Sequence, residues 1–289
     1  LKFKIFTLKF TVIIPTFNRA EILQRNLNLL ATQTFDDFEV IVIDDGSTDE
    51  TLRLLREFEK KVKFPLKFLT QKNSGQATAR NRGIEISTGE ILLFLGDDML
   101  PLPNLLEKHF DFHKKFPAEN FACLGLVRWH PEIRISKFMK WLEKSGAQFK
   151  FHDLKENSQT DFWRFYTANI SFKKKFLGKE RFNENFSGWG FEDAEIGLRL
   201  QKKGMKLLFN PEAIAQHFHE ISAESLTDRQ FAAGRNAVKF QKLHPEISIL
   251  PRGRKLLAQK IIAKLFPFSF YGKAKKSFLR GIAEASRES

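Results

Sequence analysis

Four short apolar runs separated by helix-length segments fill the N-terminal third of the chain, and this alternation limits its possible folds more than any other feature. Phe10 to Pro15 is rich in β-branched residues and stopped by proline. Phe38 to Ile43 reads FEVIVI, Pro65 to Leu69 is a third run, and Ile91 to Leu95 is a fourth. Runs that are apolar at consecutive rather than alternate positions belong to strands buried on both faces. Between them, Asn18 is placed to cap a helix with Ile22, Leu23, Leu27 and Leu30 on one side. Ser47 or Thr48 can cap another through Leu52, Leu55 and Phe58, and Gln76 to Ser87 forms a third. Parallel neighbours need a crossover long enough to hold a helix, so this order predicts a parallel, doubly wound α/β sheet.

The later chain continues the layered pattern less regularly. A helix through Leu106, Phe110 and Phe116 leads to a strand at Phe121 to Trp129, while Pro131 to Asp161 shows no clear period. Phe165 to Phe172 reads as a strand, SGWG forms a loop before a helix ended by Gly204, and Met205 to Phe209 and Ala213 to His219 read as two further strands. Beyond that only helical patterns occur, at Leu226 to Leu243, Leu256 to Phe266 and Lys273 to Ala285. The expected division is an α/β domain over 1–221, with halves at about 10–101 and 120–221, and a helical tail over 222–289.

A chain of 289 residues that is 42% hydrophobic can bury a full core as one large domain with an appendage. Its single cysteine, Cys123, excludes an intrachain disulfide framework and a cysteine-rich zinc site. Of the net charge of +14, +9 lies between Ser222 and Ser289, where 14 Lys and Arg face 5 Asp and Glu. That imbalance suits an anionic partner such as phospholipid headgroups or a phosphorylated glycolipid, or simply a solvated basic face. The opening LKFKIFTLKFTVIIP lacks a continuous apolar core and a small-residue cleavage site and is not read as a signal peptide, and no stretch reaches transmembrane length.

Polar clusters follow the predicted strands: PTFN at 15–18, DDGS at 44–47, NSGQATARN at 73–81 and GDD at 96–98. In an open α/β sheet the ligand crevice lies beyond the carboxyl ends of the strands, so these loops should converge there. A nucleotide diphosphate would use such parts, with carboxylates and amides for base and ribose and hard oxygens for a divalent cation. Neither a G-x-G-x-x-G opening the first helix nor a G-x-x-x-x-G-K-[ST] is present, so the dinucleotide and P-loop readings lose their main support. Alone, Asp97 and Asp98 would read equally well as a polar turn capping the next helix.

Taken jointly, TVIIPTFNR at 11–19, FEVIVIDDGSTDET at 38–51, NSGQATARNRGIEISTGEILLFLGDDMLP at 73–101 and GWGFEDAEIGLRL at 188–200 resemble glycosyltransferase family 2, inverting nucleotide-sugar transferases of the GT-A (Rossmann-like) fold. The resemblance implies that Pro15, Thr16, Asn18, Arg19, Asp44 and Asp45 hold nucleobase and ribose, with Gly75, Arg80 and Asn81 nearby. It maps the acidic DXD-type motif onto Gly96-Asp97-Asp98, with glycine where many relatives carry a further aspartate. Asp98 is then the ligand of a Mn²⁺ or Mg²⁺ ion and Asp97 the ribose or sugar contact. The family's ED motif falls on Glu192-Asp193, making Asp193 the base, Glu192 an acceptor contact and Trp189 the wall on which a sugar stacks. Without the resemblance, those acids merely suit a helix's first turn. His217 and His219 lie two apart on a predicted strand and share a face; related enzymes place a metal-ligating histidine here, and His217 is the preferred one. His109, His113, His130, His152 and His244 read as surface or packing residues.

In the tail, Leu256, Leu257, Ile261, Ile262, Leu265 and Phe266 interleave with Arg254, Lys255, Lys260 and Lys264, followed by Phe268, Phe270, Tyr271 and Phe278. This suits an amphipathic helix at a membrane surface, or one packed over the domain with a solvated basic face. The expected function is metal-dependent inverting transfer of a sugar, UDP-linked, to a hydroxyl of a glycan or lipid-linked acceptor, as in polysaccharide biosynthesis. The expected place is the cytoplasm, peripheral at the inner face of the membrane, with no nucleic-acid partner. A non-catalytic nucleotide-sugar or glycan-binding module is the alternative.

Overall fold

A computed structural model of the chain describes residues 9–145, 148–266 and 268–288. The expectation that no signal peptide opens the chain falls largely on residues 1–8, outside the described residues. The alternation predicted for the N-terminal part is present as β1 (Phe10–Thr16), α1 (Ala20–Leu30), β2 (Phe38–Asp44), α2 (Thr51–Glu59), β3 (Leu66–Thr70), α3 (Gln76–Ile86) and β4 (Ile91–Leu95). There follow β5 (Met99–Pro101), α4 (Leu105–Lys115), β6 (Phe121–Trp129), α5 (Lys137–Ser145), β7 (Gln159–Thr160), β8 (Asn169–Lys173), α6 (Lys174–Leu177), α7 (Glu192–Lys202) and β9 (Lys206–His217). Three helices close the chain: α8 (Ala223–Leu243), α9 (Gly253–Leu265) and α10 (Phe270–Arg287).

The strands form one sheet in the order β3-β2-β1-β4-β8-β6-β9-β5, with β7 also paired to β9. β1, β2, β3 and β4 are mutually parallel, β8 is antiparallel to β4 and β6, and β6 and β9 are again parallel. Because β1 alternates across the sheet, Val12 and Ile14 enter the core under α1, α2 and α4. Ile13 enters the opposite core with Ala77 of α3 and Ile196 of α7. Both faces are covered, which is why β1, β2 and β4 are buried along nearly their whole length, with the buried Thr11 and Glu39 paired to each other by a hydrogen bond.

Four local readings differ from the structure: first, the strand expected at Phe165–Phe172 starts only at Asn169, because the chain turns before it, with Phe165 N–H donating to Phe162 O at 3.1 Å. The two strands expected at Met205–Phe209 and Ala213–His219 are one strand, β9, whose register against β6 jumps from Gly125↔Asn210 to Leu126↔Ile214. Asn169 occupies that bulge, its Nδ2 donating to Leu126 O at 3.2 Å and Ala213 O at 2.9 Å, and a Cβ on Gly125 would lie 2.2 Å from the same nitrogen. Asn18 does not cap α1: it has φ of 51° and its Oδ1 accepts from the Thr48 N–H at 2.7 Å, fastening the first loop to the second. Asp49, not Ser47 or Thr48, serves the start of α2, accepting from the Thr51 N–H at 3.0 Å.

β5 was not foreseen, and it arranges the site. Its pairing of Met99 with His217 sets the end of β9 beside the acidic turn, sealed by a hydrogen bond from Phe218 N–H to Asp98 O at 2.8 Å. At the other end of the chain, α8 and α10 cross with backbones in contact. A Cβ on Gly234 would meet Phe278 O at 2.1 Å, and one on Gly281 would meet Phe231 O at 2.1 Å. Such a crossing needs glycine on both helices.

Candidate functional site

The carboxyl ends of β1 and β4, the segment before β8, the start of α7 and the end of β9 enclose a cleft of about 440 Å³. Pro15, Arg19, Arg80, Asp97, Asp98, Trp189, Glu192, Asp193 and His217 all line it. Nine sequence-predicted site residues, drawn from five separate segments, therefore meet in one space.

The first acidic pair is held tightly. Asp97 Oδ2 accepts from Thr16 Oγ1 at 2.9 Å, and Arg19 Nη1 bridges Asp97 Oδ1 at 2.9 Å and Asp98 Oδ2 at 2.7 Å. Behind them Asn26, fully buried on α1, donates through Nδ2 to the carbonyls of Gly96, Asp97 and Met99. Burial and the neighbouring Asp98 charge push Asp97 up to about 6, with Arg19 and Thr16 pulling back. Burial opposes the charge of Asp98 as well, but His217 and Arg19 outweigh it and hold that carboxyl well below the usual range. A side chain at Gly96 would place its Cβ 3.0 Å from Met99 Cγ and 3.1 Å from Asp98 Oδ1, so a third carboxylate would press on the second.

His217 Nε2 lies 3.4 Å from Asp98 Oδ2, and its ring stacks on Trp129 at 5.0 Å. One carboxylate oxygen and one imidazole nitrogen, converging and buried, are a donor set suited to Mn²⁺. Among the described residues no group of three or more His, Cys, Asp or Glu side chains stands where it could hold a metal, so donor oxygens and water would complete the shell. His219 lies one step further, its ring 6.1 Å from that of His217.

The second acidic pair opens α7 across the cleft. Asp193 accepts from Thr167 twice, from N–H at 2.9 Å to Oδ2 and from Oγ1 at 2.8 Å to Oδ2 and 2.9 Å to Oδ1. Arg80 Nη1 stands 3.4 Å from Asp193 Oδ1 and 3.6 Å from Glu192 Oε1, while its Nη2 donates to Gln76 Oε1 at 2.7 Å. Burial first, and the Asp193 charge second, push Glu192 up to about 7, with Arg80 opposing. Three residues of the preceding loop are left-handed, with φ of 74° at Gly188, 92° at Gly190 and 77° at Phe191. For a bulky side chain such a φ is strained. Asn236 of α8 holds the loop by donating to Ser187 O at 3.0 Å and Gly190 O at 2.9 Å.

The remaining predicted residues take other places. Thr16 supports Asp97 from behind. Asp44 is fully buried and accepts from the Ser47 N–H at 3.0 Å. Asp45 orders the β3–α3 loop by accepting from Gln71 Nε2, Ser74 N–H and Gly75 N–H at 2.7 to 2.9 Å. Asn81 points away, donating to Phe182 O and Glu184 Oε1 and accepting from Phe182 N–H. Sequence reading missed Asn26, Thr167 and Arg229. Arg229, on α8, lines the cleft; burial lowers its pKa and Arg19 adds to that, with Asp98 pulling the other way.

In the tail, Leu257, Ile261 and Leu265 form an exposed stripe on α9, which buries none of its residues, and Phe268 is 89% exposed. Phe270 packs instead on Phe138, and Arg280 lies over Phe231. Among the described residues no helix is long and apolar enough to cross a membrane.

Comparison with known proteins gives the same outline. The family model "Glycosyl transferase family 2" matches residues 11–157, and "N-terminal domain of galactosyltransferase" matches 156–222. The validoxylamine A glucosyltransferase of Streptomyces hygroscopicus subsp. jinggangensis is 32% identical over 83% of this chain and 62% of its own length. The chain spans about half the length of the curated relatives it matches. Among solved structures, the mannosyltransferase PcManGT of Pyrobaculum calidifontis, in complex with GDP-Man and Mn²⁺, has a TM-score of 0.62 at 17% identity, covering 97% of this chain and 88% of that one. TarS 1–349 of S. aureus, in complex with UDP-GlcNAc, has a TM-score of 0.57 at 18% identity, covering 97% and 92%. These likenesses give a GT-A fold.

Proposed function

The chain belongs to glycosyltransferase family 2, and from that premise we propose that it is a metal-dependent inverting glycosyltransferase, moving a sugar from a nucleotide-diphosphate sugar to an acceptor hydroxyl. The observation that carries this reading is the facing of two acidic pairs, Asp97-Asp98 and Glu192-Asp193, across one cleft. Direct displacement needs a site for the departing diphosphate on one side of the anomeric carbon and a base on the other.

Asp98 and His217 would hold the cation, which when bound supplies Lewis-acid stabilisation of the departing diphosphate. Asp97, fixed by Thr16 and Arg19, faces the ribose or sugar hydroxyls. Thr167 and Arg80 hold Asp193 in place, and Asp193 takes the acceptor hydroxyl proton as the new bond to the anomeric carbon forms and the bond to the diphosphate oxygen breaks. Glu192, protonated near neutrality, can donate a hydrogen bond to the acceptor, and Trp189 offers a stacking face. A UDP-sugar is the proposed donor, supported by the structural likeness to TarS with UDP-GlcNAc; a GDP-sugar is the rival that the PcManGT likeness raises. The acceptor is a glycan or a lipid-linked glycan.

The exposed apolar stripe of α9 beside Lys260 and Lys264 supports peripheral contact with an anionic membrane surface. We further propose that the helical tail over 222–289 is a unit added to the α/β domain, with α8 docked on the α7 loop. A screen of UDP- and GDP-sugars with Mn²⁺ tests the main reading. Turnover of at least one donor, lost on chelation and restored by Mn²⁺, is expected; binding of donors with no hydrolysis or transfer would favour a non-catalytic module.

A further inference from the structure

Three arginines line the cleft, and they are not equivalent. Arg19 is committed to Asp97 and Asp98, and Arg80 stands against Glu192 and Asp193. Arg229 lines the same cleft, partly buried, with no hydrogen bond or ion pair among the described residues. A guanidinium stays charged at any accessible pH, and Arg229, half-buried with only the longer-range attraction of Asp98 acting on it, keeps its donors open to the cleft. A planar fork of open donors at that place suits an anion.

Its direction is set by the helix. Arg229, Ala233 and Asn236 are spaced i, i+4, i+7 and share one face of α8. Ala233 also lines the cleft, and Asn236 grips the carbonyls of the Ser187–Gly190 loop. The close α8–α10 crossing at Gly234 and Gly281 fixes the helix from behind. The first member of this face is thus pinned at the cleft by its third.

Four acidic side chains already face the cleft, and the two arginines of the α/β domain stand against them, Arg19 in hydrogen bonds and Arg80 by charge at 3.4 and 3.6 Å. On the reading proposed above, we infer that Arg229 binds the diphosphate of the nucleotide-sugar donor, so that the C-terminal helices complete the donor site. The planar guanidinium fork matches two phosphate oxygens at once, and its charge gains value as the leaving group takes up electrons from the broken glycosidic bond. Full occupation of the donor site therefore depends on α8, which the residues of the α/β domain alone do not supply.

The test uses the full chain and two substitutions, Arg229→Met and Arg229→Lys. UDP and GDP with Mn²⁺ are titrated calorimetrically, and unfolding is followed without nucleotide. Arg229→Met is expected to weaken binding of whichever diphosphate the wild type takes by about 10- to 100-fold. Its nucleotide-free Tm should equal or exceed that of the wild type, since an unpaired cation is removed. Arg229→Lys, keeping the charge and losing the fork, should fall between. Unchanged diphosphate affinity in Arg229→Met, or a lowered nucleotide-free Tm, overturns the inference by making the residue irrelevant or structural. A wild type that binds neither UDP nor GDP overturns the donor reading itself and this inference with it.

Discussion

The two walls of the cleft are built from the same parts: adjacent carboxylates, an arginine facing both, and a threonine hydroxyl donating to one of them. On the first wall, the proposed donor side, Arg19 and Thr16 serve Asp97 and Asp98; on the opposite wall, Arg80 and Thr167 serve Glu192 and Asp193. What differs is the frame. Asp97 and Asp98 sit on a turn whose carbonyls are tied to Asn26, between a central strand and β5, with His217 brought against Asp98 by strand pairing. Glu192 and Asp193 open a helix reached through a strained left-handed loop that depends on α8. The first wall is fixed by the sheet, which on the proposed reading suits it to hold a cation and a diphosphate. The opposite wall is fixed by helix packing, and burial there raises Glu192 to about 7, which on the proposed reading suits it to donate a hydrogen bond beside the base.

Breaking the walls one at a time should give different signatures. Asp193→Asn removes the base and is expected to lower kcat by roughly 10³-fold or more, with nucleotide affinity within a factor of a few of the wild type. Single-turnover kinetics beside calorimetry measures both, and near-normal turnover would remove Asp193 from its role. Asp98→Asn should lower kcat by about 10²- to 10³-fold and raise the Mn²⁺ concentration needed for half-maximal rate. No change in the Mn²⁺ titration would contradict its part in the metal site.

Glu192→Gln is the finer probe. Because Glu192 is raised to about 7, wild-type kcat/KM should fall as pH rises through that value and the proton is lost. Glutamine, which keeps a donor, should lose about 10-fold in rate and abolish that alkaline limb; a limb that persists assigns it to another group. The linkage sign agrees. A carboxyl raised in the folded state contributes stability while protonated, and that contribution declines from the ordinary carboxyl range up to about pH 7. The smallest effect belongs to Asn26→Ala, which strands three carbonyls behind the donor wall and should lower unfolding stability by about 1–3 kcal/mol in chemical denaturation. A drop in Mn²⁺-dependent activity larger than that stability loss explains would show that Asn26 also aims Asp98.

Much of this was legible because it is local. Buried parallel strands announce themselves as continuous apolar runs, and the chemistry that follows each strand lands at one sheet edge by topology alone. Asn26 left a signal that went unread, a polar residue on the stripe of Leu23, Leu27 and Leu30. Thr167 left none, since its role depends on β8 running antiparallel to β4 and starting beside the cleft. Asp44 and Asp45 close loops at the sheet edge and Asn81 lies within α3, and their visible partners are mostly backbone groups of neighbouring segments, contacts that no local motif announces.

By itself the sequence determined the doubly wound N-terminal sheet, the family, and the two acidic pairs, since each follows from short-range periodicity or contiguous motifs. Only the tertiary structure decided that the two pairs face each other, that His217 rather than His219 meets Asp98, and that an arginine from the helical tail reaches the same cleft. Those facts rest on strand pairing and helix crossing between segments far apart in the chain, which no local pattern encodes.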